Sequence, residues 1–390
     1  MNRSEEIVYN ICRRSFLSLW SYASPQGKDG NELCDVLIVC APDVIVISVK
    51  EIGLCDSGDI STDWDRWSRR AIDGSAKQIY GAERWLKSAN RVVKSDGTSG
   101  LLLPELTERR LHRVAVALGS EGRAPIKFGD LGKGFVHVFN ESTLYAVFRE
   151  LDTISDFVEY LAAKEAYSAS GKKVVFEGTE EDLLAIYLHA GRKFPEEYDL
   201  TVVGDNLWRA FREKPEYQAK NAANKDSYFW DRLIEVFSRK EPEVGPALSE
   251  AEFAIRVMAR EDRFARRLLG RFFKEFLEER ISRSRIFVSP SGVVYVFLVV
   301  PHGTDSEFLQ AELGNRCFVA RGLNQRSTTV VGVGTEYFEG NDPSTLFLCY
   351  FQKENWSAED DAEMKAMQSE LGYFVKPKLT AHHEDEYPTS

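Results

Sequence analysis

Leu33-Cys34-Asp35-Val36-Leu37-Ile38-Val39-Cys40-Ala41-Pro42-Asp43-Val44-Ile45-Val46-Ile47-Ser48-Val49-Lys50-Glu51-Ile52 is the stretch that decides how the first part of the chain folds. Two apolar, β-branched runs, 33–40 and 44–52, are separated only by Ala41-Pro42-Asp43, so the segment predicts a β-hairpin. Strand side chains alternate between faces, which puts Ser48 and Lys50 on one face of the second strand. Antiparallel pairing brings the end of that strand beside the start of the first, where Asp35 stands. Lys50 interrupts an otherwise apolar run, and a buried ammonium needs a partner.

Before the hairpin, Ser4 offers an N-cap, Glu5 and Glu6 fill the first turn, Ile7, Val8 and Ile11 form an apolar stripe, and Arg13 and Arg14 close it. This predicts a short helix over 4–15. Residues 16–20 read as a strand and 25–31 as a polar turn. After the hairpin, Trp67, Ala71, Ile79, Ala82 and Leu86 recur at three- and four-residue spacing and predict a helix over 63–93. Residues 111–118 and 135–139 read as strands and 154–163 as a helix, so the order is that of an α/β core. A composition shift at Ser168-Ala169-Ser170-Gly171-Lys172-Lys173 marks a boundary between expected domains 1–168 and 174–390. The second reads as α+β, with helices near 180–188, 226–238 and 250–281 and strands near 285–288, 293–300, 316–320, 328–333 and 345–351.

The text Glu32-Leu33-Cys34-Asp35-Val36-Leu37-Ile38-Val39, followed by Val46-Ile47-Ser48-Val49-Lys50-Glu51, resembles the PD-(D/E)xK nuclease superfamily, whose members place an Asp on one strand and a (D/E)xK triplet on the next. The resemblance covers residues 1–120. It implies a restriction-endonuclease-like mixed-sheet core and Mg²⁺- or Mn²⁺-dependent hydrolysis of phosphodiester bonds in DNA, with defence against foreign DNA as a setting. Asp35 is then a metal ligand, Lys50 positions the water or the scissile phosphate, and a Glu of the first helix and Gln78 of the helix after the lysine contribute. Glu6 is preferred to Glu5 for the first of these. Ser48 stands where the family usually has Asp or Glu, and a hydroxyl holds Mg²⁺ poorly. Some relatives with Ser at this point take the missing acid from the following helix, which nominates Asp65 or Glu83 as metal ligand. Glu32 is another candidate, although three residues before Asp35 on a strand it is expected to face the other side. The alternative function is a catalytically inactive module of the same fold that binds nucleic acid or protein, with Asp35 and Lys50 as an ion pair.

A net charge of −11 excludes a surface coated in basic residues but leaves room for a local groove. Arg66, Arg69, Arg70 and Lys77 crowd the helix after the hairpin and are the expected nucleic-acid contacts; a solvated helix face is the competing reading. A second basic crowd over 256–285, offset by Glu275, Glu278 and Glu279, reads as a solvated face. Trp64, Trp67 and Trp85 read as core at helical spacing. The glycine-rich 119–122 and 129–134 lack the phosphate-loop pattern, and six cysteines without a CxxC pair read as reduced and structural. His382-His383 has no third ligand nearby and reads as part of an acidic tail. No apolar run reaches the roughly 18 residues of a membrane span, and the start lacks a signal-peptide pattern, so a cytoplasmic chain is expected. Protein partners and a homo-oligomer remain open.

Overall fold

In the computed structural model, residues 1–122, 128–240, 250–279, 283–336, 346–375 and 384–388 are described. Helix α1 (Arg3–Phe16) is started by Asn2, not Ser4: the Asn2 side chain accepts from the Glu5 N–H while the Glu5 carboxylate accepts from the Asn2 N–H. Residues 16–20 do not form the expected strand. Phe16 ends α1 with its ring 5.4 Å from that of Phe148 and 5.1 Å from that of Phe157, and Ser18–Trp20 make a 3-10 turn. Their apolar side chains plug the core, and the strand, β1 (Ser21–Ala23), follows.

The hairpin forms from β2 (Val36–Cys40) and β3 (Asp43–Glu51), antiparallel, with Val36 opposite Ile47 and Cys40 opposite Asp43. A long helical segment follows as α2 (Ile60–Ser68), one π turn (Arg69–Asp73) and α3 (Gly74–Leu86). It stops seven residues before the expected end, because Arg91–Val93 pairs as β4 with β5 (Ser99–Leu102). Strand β6 (Arg110–Leu118) then runs parallel to β3, and β7 (Gly129–Asp130) and β8 (Phe135–Phe139) complete a mixed six-stranded sheet in the order β1-β2-β3-β6-β8-β7. Helices α4 (Glu141–Glu150) and α5 (Ile154–Ala169) come next. Strand β9 (Lys173–Phe176), α6 (Glu180–His189) and β10 (Leu200–Val203) follow, with β9 and β10 paired in parallel, and then α7 (Leu207–Arg212) and α8 (Pro215–Ala223).

The chain divides into two units, Met1–Gln218 and Ala219–Ser390. Residues 168–173, read as a junction, lie inside the first, spanning the end of α5 and the start of β9. The second unit contains α9 (Ser227–Lys240), α10 (Glu250–Arg260), α11 (Arg263–Glu278), β11 (Arg283–Val288), β12 (Val294–Val300), α12 (Ser306–Leu323), β13 (Thr329–Glu336), β14 (Leu346–Gln352) and α13 (Ala358–Leu371). Its sheet, β11-β12-β13-β14, is also mixed, with β12 and β13 parallel across the α12 crossover. Residues 316–320, expected as a strand, are part of α12: Leu309, Leu313, Cys317 and Ala320 bury one helical stripe against Val296 and Leu298. The expected helix over 250–281 breaks at Asp262, whose side chain caps the new helix at Ala265. Among the described residues no helix is long and apolar enough to cross a membrane.

At the end of the β3–β6 ladder the Ile52 N–H donates to Leu118 O and the Leu54 N–H to Gly119 O. Gly119 has φ +91°, and a Cβ there would stand 2.4 Å from Ile52 O, so the close approach admits no side chain. Gly119→Ala is expected to destabilise the protein by about 2–4 kcal/mol. The loss is measured as a lower urea midpoint at unchanged slope; an unchanged midpoint contradicts the packing described.

Candidate metal and phosphate site

Between Asp43 and Glu51, strand β3 is apolar on the face it shares with α1, through Ile45, Ile47 and Val49, and Glu51 accepts a hydrogen bond from the Ser4 hydroxyl of that helix. Ser48 and Lys50 occupy the other face, under α3. There the Ser48 hydroxyl donates to Gln78 Oε1 at 2.8 Å. A Cβ on Gly74, one helical turn earlier, would stand 3.4 Å from Lys50 Cε, so the lysine stem passes beneath an α3 residue that has no side chain. Helix and strand therefore meet in register, Gly74 over Lys50 and Gln78 over Ser48. On the neighbouring β6, Ala115 lies opposite Ser48 and Ala117 opposite Lys50, which leaves lateral room on this face.

Asp35 is 4% exposed and lies one residue before β2 begins. Continuing the register from Val36 and Ile47 places it opposite Ser48, on the same face. One of its carboxylate oxygens accepts the Val49 N–H at 2.5 Å. Burial pushes its pKa up to about 6; the Val49 amide opposes that shift, the hydrogen-bonded Glu32 carboxyl adds to it, and the charge of Lys50 opposes it. Glu32 was expected to face away from Asp35. It does not, because residues 32–35 precede the regular strand and strand alternation has no hold on them.

The other nominated acids lie elsewhere. Glu5 is committed to the α1 cap, and Glu6 is exposed on a helix that packs against the opposite sheet face. Asp65 is exposed on α2. Glu83 makes a two-pronged ion pair with Arg113, at 2.9 and 3.1 Å, which with Lys87 holds its carboxyl below the usual range against the opposing effect of burial. Arg113 sits opposite Val46, on the far side of β3 from β2, so Glu83 lies on the order of 10 Å from Asp35. Arg66, Arg69, Arg70 and Lys77 are all exposed, and among the described residues none of them forms an ion pair. Trp67 is buried and donates its indole N–H to Ile52 O at 2.8 Å, which makes it a clamp on the end of β3. Trp64 and Trp85 are half-buried.

Asp35 and Glu32 side by side fit a hard divalent cation of the Mg²⁺ kind, which keeps most of its water and takes only one or two carboxylates from a protein. Among the described residues no group of three or more acidic, histidine or cysteine side chains is placed to hold a metal. Comparison of the chain with protein-family models, with curated proteins and with solved structures returns no match.

The raised Asp35 pKa fixes the sign of a pH effect. Between the ordinary value of 3.8 and about 6 the folded chain binds a proton that the unfolded chain has lost, so this group's contribution to stability falls as pH rises through that window. Asp35→Asn is expected to raise stability at pH 7.5 by about 1–3 kcal/mol and to leave it nearly unchanged at pH 4. Mg²⁺ or Mn²⁺ at millimolar concentration should raise the melting temperature of the wild type at pH 7.5, and should fail to do so in Asp35→Asn. Equal metal effects on the two proteins exclude Asp35 as a ligand.

Proposed function

We propose that the first unit is a phosphodiesterase of the PD-(D/E)xK kind, built on a restriction-endonuclease-like core, which hydrolyses DNA with Mg²⁺ or Mn²⁺. The observation that carries this reading is the meeting of Asp35, Ser48, Gln78 and Lys50 on one sheet face, with Glu32 against Asp35. The mixed α/β order α1, β1, β2, β3, α2–α3, the β4–β5 pair and β6, with β6 parallel to β3, is compatible with it.

Asp35 and Glu32 are the residues that would hold the cation, and Glu32 supplies the acid that Ser48 does not. A bound divalent cation supplies neutralisation of the phosphate charge and a more acidic water. Lys50, whose charge acts on Asp35, would stabilise the negative charge that grows on the phosphate oxygens during attack. Gln78, held by the Ser48 hydroxyl through its oxygen, keeps its amide NH₂ free of that bond and able to donate to a phosphate or a water. The exposed Arg66, Arg69, Arg70 and Lys77 give the backbone of a duplex a basic surface beside the site.

A second reading, a nuclease fold that binds without cutting, is favoured by Ser48 being tied to Gln78 in place of a third carboxylate. Incubation with plasmid and labelled duplex in Mg²⁺, Mn²⁺ or EDTA separates the two. Lys50→Ala is expected to slow cleavage by at least about 100-fold while affinity in EDTA changes little. Neutralising Arg66, Arg69 and Arg70 together should weaken binding across sequences and lower the salt dependence by up to about 0.9 per lost phosphate contact. Binding without cleavage in either metal selects the second reading, and cleavage indifferent to Lys50→Ala rejects the site.

A further inference from the structure

The arginines of α11 divide into two sets. Arg263 and Arg266 share the single carboxylate of Asp231 on α9, at 2.7 and 2.6 Å. Arg267 and Arg271 are met by a short separate segment, residues 384–388. Arg267 Nε lies 3.1 Å from a Glu384 carboxylate oxygen, and Arg271 reaches the other oxygen at 2.5 Å. The Arg267 guanidinium also donates to the backbone carbonyls of Asp385, at 2.8 Å, and Glu386, at 3.1 Å. Lys220 stands 4.0 Å from the Glu386 carboxylate and 5.2 Å from the centre of the Tyr387 ring.

We propose that Arg267, Arg271 and Lys220 form a docking site for an acidic peptide, and that residues 384–388 are the occupant supplied by the chain itself. Arg267 is 1% exposed and Lys220 3% exposed, and among the described residues Glu384 is the ion-pair partner of Arg267. With the segment in place, Glu384 gives Arg267 and Arg271 a shared carboxylate in a setting that shields Arg267 from water, while Arg271 also lies 3.9 Å from Glu275, so the site selects for negative charge in its occupant. Its occupant is one continuous stretch. Two of its contacts are to main-chain carbonyls, which any extended peptide carries, and the side chains add the pattern of an acid at the first position, an acid at the third and an aromatic ring at the fourth. Covalent attachment presents the segment at an effective concentration on the order of millimolar, so a partner's acidic peptide gains the site when it binds more tightly or arrives in multiple copies. This site owes nothing to the acids and lysine of the β2–β3 hairpin.

The test uses the full chain with a protease recognition sequence inserted between Thr380 and Ala381, cut after folding, and a fluorescent peptide of residues 381–390. The cut fragment is expected to leave on gel filtration while the circular dichroism of the remainder is retained. The labelled peptide should then bind saturably, at least about tenfold more tightly than to the uncut protein. Arg271→Glu in the cut protein and Glu384→Lys in the peptide should each weaken that binding by about tenfold or more, and added salt should weaken it further. A cut protein that stays folded and shows no saturable binding at millimolar peptide overturns the proposal. So does a fragment that leaves only when the protein unfolds, which would make it a structural strap, and so does binding indifferent to both charge reversals.

Discussion

The Asp35 carboxylate is bound to the Val49 N–H, and the first unit is arranged around that bond. Regular pairing of β2 with β3 stops at Val36 and Ile47, while β3 runs four residues further, which would leave a backbone donor of a buried strand without a partner on that side. A buried orphan amide costs about as much as a lost hydrogen bond. The side chain of Asp35 takes the place of the missing strand residue, and in doing so it is fixed beside Ser48, desolvated and set against Glu32. One acid thus completes the hairpin and, by its burial, has its proton affinity raised. In this residue folding stability would be opposed to any cation binding, because the charge that attracts a cation is the charge that burial penalises.

The helical segment after the hairpin turns that strand end into a site. Its π turn, Arg69–Asp73, directly precedes Gly74, and the packing of α3 on β3 then brings the smallest residue over the longest stem and an amide over a hydroxyl. Alanines at 115 and 117 on β6 keep the neighbouring column low. The same helix carries Glu83 to Arg113, where it anchors α3 to β6 and plays no part in the acid cluster. The exposed arginines remain on the outer surface, since the face of the helix toward the sheet is taken by Trp67, Ala71, Ala76 and Ile79.

The second unit solves a different charge problem. A helix with arginines on its buried face must find anions within reach, and α11 does so by two routes, a carboxylate on α9 and a short acidic segment far along the chain. Read in one dimension this helix is a run of cations offset by its own glutamates. In three dimensions Arg266 and Arg267 are each 1% exposed, and the partners that matter come from elsewhere.

Much of the first unit was written in local sequence. Two β-branched runs around the Ala41-Pro42 turn give the hairpin, alternation puts Ser48 and Lys50 on one face, and periodic apolar residues give α2 and α3, all by short-range sterics and the need to bury one face. Where that face lay relative to other elements was not local. Glu32 joins Asp35 because the regular strand begins only at Val36, a boundary set by pairing and invisible to an alternation count. Residues 16–20 are apolar enough for a strand and 316–320 are short and apolar enough for another, yet the first fills the core after α1 and the second continues a helical stripe against β12. Asp65 and Glu83 had the right chemistry on the right helix, but which acid reaches a given strand end is decided by helix phase and by the competing pull of Arg113, quantities that exist only once the tertiary structure is formed.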